Sequence, residues 1–283
     1  MPPMTLELFR TFWGYQGDWH LALDELRAAG FDGIEARLPT EEPQRRDFAR
    51  FLADRQVPYI GILFTAYDVL PDQAASAQDH LDDFTRKLAW ADAFEPRFIN
   101  VLAGNDRWPL AQQVDFFGKA NELASRSGHV CSFEAHRSRS LFNPWITLDI
   151  ARQVPDLLFT SDISHWVVTC ERLLDHPLDD LTDFIERVHH IQARVGYDQG
   201  PQVPHPGDPL HANALAFHQR HWERIWQSQA RRGYRRTSMT PEFGPDGYLQ
   251  QRPFTHEPVG ELWDLNRWMG QTERQHFDRF HHG

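Results

Sequence analysis

The chain has little sulfur: 283 residues hold two cysteines, Cys131 and Cys170. Both lie in apolar runs with no metal-binding side chain at short spacing. That argues against a disulfide framework and a structural zinc built on thiolates, and fits inert buried thiols. Positive charge is also scarce, with 29 Lys and Arg against 40 Asp and Glu and a net charge of −11. An acidic chain is a poor partner for phosphate backbones, so nucleic acid is not expected. No apolar run approaches the ~18 residues needed to span a bilayer. Residues 1–9 lack a basic region followed by an apolar stretch, so a signal peptide is not expected and a cytoplasmic location is. No glycine-rich phosphate loop stands out, which favours a substrate without phosphate.

Hydrophobic residues make up 41% of the chain, enough for a sizeable core. The length suits two average domains or one α/β barrel, which typically needs about 250 residues. The 10 Trp and 20 Phe include several beside strand ends, where ring faces suit sugars, although most belong in the core.

The pattern alternates along the whole chain. Strands are predicted at 6–13, 31–37, 57–64, 98–103, 130–134, 157–161, 188–195 and 237–243. Helices are predicted at 19–29, 43–55, 74–94, 111–127, 145–153, within 173–187, at 214–231 and at 259–280. Leu21, Leu23 and Leu26 have helical spacing, and Gly30 closes that helix. Eight strand–helix units with no linker predict parallel strands closed into one (β/α)₈ TIM barrel, a single α/β domain over residues 1–283. In such barrels the active site lies at the C-terminal strand ends.

Those ends are polar in register. Strand two ends in Glu35 and Arg37, strand four near Asn100, strand five in Glu134 and His136, and strand six in Asp162 and His165. Strand seven carries His190, Gln192 and Arg194, and strand eight ends in Glu242. Glu134, Asp162 and His190 are evenly spaced, about one βα unit apart. A barrel core has no use for carboxylates at these depths unless they are paired or coordinated. A divalent cation held by Glu134, Asp162 and Glu242 is therefore expected. Carboxylates with one neutral ligand suit Mn²⁺, Mg²⁺ or Co²⁺. A metal-polarised carbonyl acidifies the adjacent C–H, and a carboxylate in the same cluster is placed to take that proton.

The segments Phe-Asp-Gly-Ile-Glu-Ala (31–36), Phe-Glu-Ala-His-Arg (133–137), Asp-Ile-Ser-His (162–165), His-Ile-Gln-Ala-Arg-Val-Gly (190–196) and Thr-Pro-Glu-Phe-Gly-Pro (240–245) make the chain resemble a known family. This is the xylose isomerase-like TIM barrels, the sugar phosphate isomerases/epimerases, and in particular their ketose 3-epimerases. The resemblance covers nearly the whole chain. It implies Glu134, Asp162 and Glu242 as ligands of one metal, Mn²⁺ foremost, and Glu134 and Glu242 as the pair that exchanges the proton. It also implies His165 and Arg194 as substrate contacts.

The family's strand seven usually reads His-x-His with the second His on the metal, and here that position is Gln192. Gln192 is taken as the fourth ligand; His190 in its place, or weakened metal binding, are the alternatives. His136 shares a face with Glu134, where it meets substrate or orients Glu134. Glu35 either binds sugar hydroxyls or pairs with Arg37. The Pro-rich loop 196–209 is a wall or lid, or a surface excursion.

The expected activity is a metal-dependent sugar isomerase or epimerase with a small-molecule sugar substrate. Alternatives are a 3-keto-glycoside lyase on the same site, and a non-catalytic sugar-binding or partner subunit. A homo-oligomer is compatible with either.

Overall fold

In a computed structural model that describes residues 4–282, eight parallel strands close into a barrel in chain order. They are β1 (Thr5–Thr11), β2 (Gly33–Arg37), β3 (Tyr59–Phe64), β4 (Phe98–Leu102), β5 (Cys131–Glu134), β6 (Phe159–Ser161), β7 (Val188–Gln192) and β8 (Arg236–Thr240). The last strand pairs with the first, Leu6 opposite Thr237, so no strand edge is left unpaired. The helices are α1 (Trp19–Ala28), α2 (Glu42–Arg55), α3 (Ala77–Ala91), α4 (Leu110–Ser127), α5 (Pro144–Gln153), α6 (Ser164–Cys170), α7 (Thr182–Ile185), α8 (Ala212–Arg231) and α9 (Leu262–His282). The predicted (β/α)₈ architecture is the observed one. Residues 1–3 and 283, including the start of the segment read for a signal peptide, lie outside the described residues.

Local chemistry sets the helix ends. Asp18 caps α1 by accepting from the amides of His20 and Leu21. Ser76 and Asp79 form a reciprocal capping box that starts α3 later than its apolar pattern predicts. α6 begins immediately after β6, where the sequence reads as loop. Asp162 accepts from the Ser164 amide and hydroxyl and so nucleates the turn.

Two apolar regions sit on opposite faces of the strands. The larger lies between strands and helices and includes Leu26, Phe48, Phe84, Phe116, Phe133, Trp166 and Trp222. The smaller lies inside the barrel, where Phe9, Ile60 and Phe98 pack together. Gly33 stands opposite Phe9, and a Cβ there would meet the Phe9 ring at 2.6 Å and the Pro58 carbonyl oxygen at 2.4 Å. Beside this plug the interior turns polar. His190 Nδ1 and Nε2 meet the hydroxyls of Ser238 (2.8 Å) and Thr240 (3.2 Å), and the Ser132 and Thr160 hydroxyls meet at 2.7 Å. The plug closes the barrel floor, and the side chains beyond this hydroxyl girdle form the site. Among the described residues, no helix is long and apolar enough to cross a membrane.

The α8–α9 contact buries an acid. Glu273 accepts from Gln219 Nε2 at 2.7 Å, its second oxygen has no partner, and burial pushes its carboxyl up to about 8. The unfolded chain loses this proton near the ordinary value while the folded chain keeps it to about 8. Stability therefore falls as pH rises through that window. Glu273→Gln removes this dependence: in thermal melts the variant gains on the parent from pH 5 to pH 8, and an unchanged difference would contradict the assignment.

Candidate metal centre and active site

Three strands deliver the acids. Glu134 is the last residue of β5, Asp162 follows β6 directly, and Glu242 lies two residues past β8. One carboxylate oxygen from each lies within 4.8 Å of the others, and all three side chains are buried. Glu134, His136 and His165 form a second such group that shares Glu134. Asn100, at the centre of β4, donates from Nδ2 to Glu134 Oε2 at 2.5 Å. This fixes the Glu134 carboxylate through one of its two oxygens.

The packing of acids shifts their protonation. Burial, then the charges of Glu242 and Asp162, hold Glu134 well above the usual carboxylate range. Burial and the Glu242 charge do the same to Glu35. Burial pushes Glu242 up to about 7, against the pull of Arg194. The histidines respond in the opposite sense. Burial, reinforced by neighbouring positive charge, lowers His136 and His165 well below the ordinary imidazole value, so both are neutral.

Neutral imidazoles have defined roles. His136 Nδ1 faces the Arg137 carbonyl at 2.5 Å, so Nδ1 carries the proton and Nε2 is an acceptor. His165 Nε2 lies 2.8 Å from Arg194 Nη2, which only donates. The His165 proton is therefore on Nδ1, which is buried and without a partner. The two rings are 3.9 Å apart. One unsatisfied donor and one acceptor thus stand beside the carboxylates.

Gln192, at the end of β7, donates from Nε2 to Glu35 Oε1 at 2.9 Å, and its Oε1 is buried without a donor. Three converging carboxylates are a donor set for a hard divalent cation, and these residues fit one; the Gln192 oxygen is a buried acceptor left without a donor. His190 is not in that group. Both its nitrogens are engaged with Ser238 and Thr240, and its ring packs 5.0 Å from Phe98. Glu35 does not pair with Arg37; Arg37 turns outward to Asp68 at 2.9 Å, over the Phe64 ring.

Arg194 is the residue whose surroundings differ most from expectation. Its Nη2 donates to Asp162 Oδ2 and lies 3.4 Å from Glu242 Oε2. Its Nε donates to Ser164 Oγ at 3.1 Å.

Above the acids lies a cavity of about 1020 Å³, lined by Phe12, Trp13, Phe64, Tyr67, Arg137 and Tyr248 among others. Trp13 and Tyr248 meet edge to face at 5.0 Å, and Trp13 lies so close to Gly244 that a Cβ there would touch its ring at 2.0 Å. Trp13 ends predicted strand one and so carried a signal; Tyr248 stands in a loop with no periodicity and carried none.

Loop 196–209 contributes nothing to the cavity lining. Its Gln202 instead brackets Gly244, accepting from the Gly244 amide at 2.9 Å, and braces the segment that bears Glu242. The wall is the segment 65–70, and Arg139, buried, ties it down through the carbonyls of Thr65 (2.8 Å), Asp68 and Val69 (2.9 Å).

The family model described as xylose isomerase-like TIM barrel matches residues 23–209. The chain belongs to this family. A search of curated protein sequences finds no match to this family member. Solved structures share its fold. An L-ribulose 3-epimerase aligns with a TM-score of 0.64 at 13% identity, over 99% of this chain and 96% of its own. A D-allulose 3-epimerase from Methylomonas sp., in complex with D-allulose, aligns at 0.59 and 14%, over 97% and 98%. IolI with a bound zinc atom aligns at 0.58 and 13%, over 98% of both chains. At such identity the likeness shows the fold, and the chemistry of this family member rests on its own residues.

Arg139→Met leaves three carbonyls of the cavity wall without their donor. It is expected to cost about 2–4 kcal/mol in urea unfolding and to speed amide exchange across 65–70. Exchange as slow as in the parent would show that the wall is held by other contacts.

Proposed function

We propose that this protein is a metal-dependent sugar isomerase or epimerase, one barrel unit that moves a proton at the carbon next to the carbonyl of a sugar or keto-sugar. The observation that carries this is the convergence of Glu134, Asp162 and Glu242 within 4.8 Å at the base of the cavity. Family membership and the sugar epimerases among its structural neighbours support it.

Glu134, Asp162 and Glu242 would hold one divalent ion, with Gln192 Oε1 as neutral fourth donor. The oxygen-rich set favours Mn²⁺, with Mg²⁺ or Co²⁺ as substitutes. When bound, the ion supplies Lewis-acid polarisation of the substrate carbonyl and offsets the repulsion among the acids.

The remaining work falls to the chain. Glu134 and Glu242 come from different sides of the strand ring, so one takes the α-proton and the other returns one, on the same or the opposite face. Asn100 keeps Glu134 in place for that transfer. His165 Nδ1–H donates to one substrate oxygen, and His136 Nε2 accepts from a neighbouring hydroxyl. Glu35, its carboxyl held above the ordinary range by burial, accepts from and orients the Gln192 amide. Trp13 and Tyr248 cover the site and limit access of water to the carbanion-like transition state.

The test is incorporation of deuterium from solvent at the α-carbon of candidate ketoses, followed by NMR. Glu134→Gln and Glu242→Gln should each slow it by about 10²–10⁴-fold. Exchange at the parent rate in Glu242→Gln would remove its assigned role. Dialysis against a chelator should stop the exchange, and added Mn²⁺ should restore it. Gln192→His should bind Zn²⁺ or Mn²⁺ roughly tenfold more tightly, since imidazole is the better ligand for these ions. Unchanged affinity would place Gln192 outside the ligand set.

A further inference from the structure

At the barrel mouth the buried acids outnumber the cations paired with them. Glu35, Glu134, Asp162 and Glu242 are all less than a tenth exposed, and among the described residues Arg194 is the only Arg or Lys ion-paired with any of them. Its guanidinium bridges two of the three carboxylates that would hold a metal. Nη2 donates to Asp162 Oδ2 and stands 3.4 Å from Glu242 Oε2. Nε donates to Ser164 Oγ, whose hydroxyl donates to Asp162 Oδ1 at 2.5 Å, so both Asp162 oxygens are engaged. The Tyr248 ring backs the guanidinium at 4.6 Å.

A metal ion on Asp162 and Glu242 would take up the same negative charge on the same two carboxylates. Arginine cannot relieve the resulting repulsion by losing its proton. It can only move. Nη1 is already buried without an acceptor, so the fork is incompletely satisfied where it stands. Arg194 also lines the cavity, where a substrate oxygen would complete it.

We propose that Arg194 is a tethered cation that competes with the divalent metal for Asp162 and Glu242. It neutralises the metal-free site and weakens metal binding, and on metal entry its fork is released toward the cavity and the substrate. This rests on the metal-site reading above. It makes Arg194, beside the Gln192 position, a residue that sets metal affinity.

The experiment is calorimetric titration of the chelator-treated protein with MnCl₂, comparing the parent with Arg194→Gln, without substrate. The variant should bind Mn²⁺ more tightly by roughly threefold or more. A smaller gain, no change or a loss overturns the competition. Binding of equal strength in parent and variant would sink this inference alone. Failure of every form to bind Mn²⁺ would sink the metal-site reading with it. If Arg194→Gln folds only when Mn²⁺ is present, one cation has replaced the other and the proposal stands. If it does not fold at all, Arg194→Lys decides. It keeps the charge but not the fork, and should gain roughly twofold or more, any smaller gain overturning the proposal.

Discussion

The mutual repulsion of buried carboxylates is the constraint on which the rest of this molecule turns. Acids brought together without water must be protonated, hydrogen-bonded or matched by a cation. The chain uses all three. Glu35, Glu134 and Glu242 are raised above the carboxylate range, Asn100 and Gln192 donate to Glu134 and Glu35, and Arg194 supplies one positive charge. The balance is still negative when the acids ionise. That imbalance makes a divalent cation the natural completion of the site, and it gives the proposed chemistry its proton carriers.

The barrel makes the arrangement affordable because it separates tasks by depth. Phe9, Ile60 and Phe98 seal the lower interior, with Gly33 making room for the Phe9 ring. The Ser, Thr and His190 girdle satisfies its own hydrogen bonds next to them. Beyond that girdle lie unsatisfied groups, among them Gln192 Oε1, His165 Nδ1 and Arg194 Nη1. Unmet donors and acceptors in one small volume are costly for stability, and they are the groups a polyhydroxy substrate and a metal would satisfy.

Much of this was legible in the sequence because strand–helix alternation leaves a periodic trace. The eight strands fell within a few residues of their observed bounds, and reading polar residues at strand ends picked out Glu134, Asp162 and Glu242, which the fold brings together. Depth and direction were harder. His190, Gln192 and Arg194 share one face, and only the register with Thr240 and Ser238 shows that His190 is committed to the girdle. The start of α6 at Ser164 is not legible because a seven-residue helix carries little apolar periodicity, although the Asp-x-Ser turn is a local sign of it. The bridging of Asp162 and Glu242 by Arg194 left no trace, since an ion pair between neighbouring strands that are far apart in sequence has no local spacing. For the same reason the sequence leaves loop 196–209 open between wall, lid and surface excursion, and only the structure shows Gln202 tying it to Gly244.

The central claim is that the three carboxylates form one cation site. Anomalous diffraction at the manganese edge, from crystals grown with MnCl₂, tests it directly. The account predicts one peak within bonding distance of an oxygen from each of Glu134, Asp162 and Glu242. A metal-loaded crystal with no peak there, or with its peak elsewhere, would contradict it.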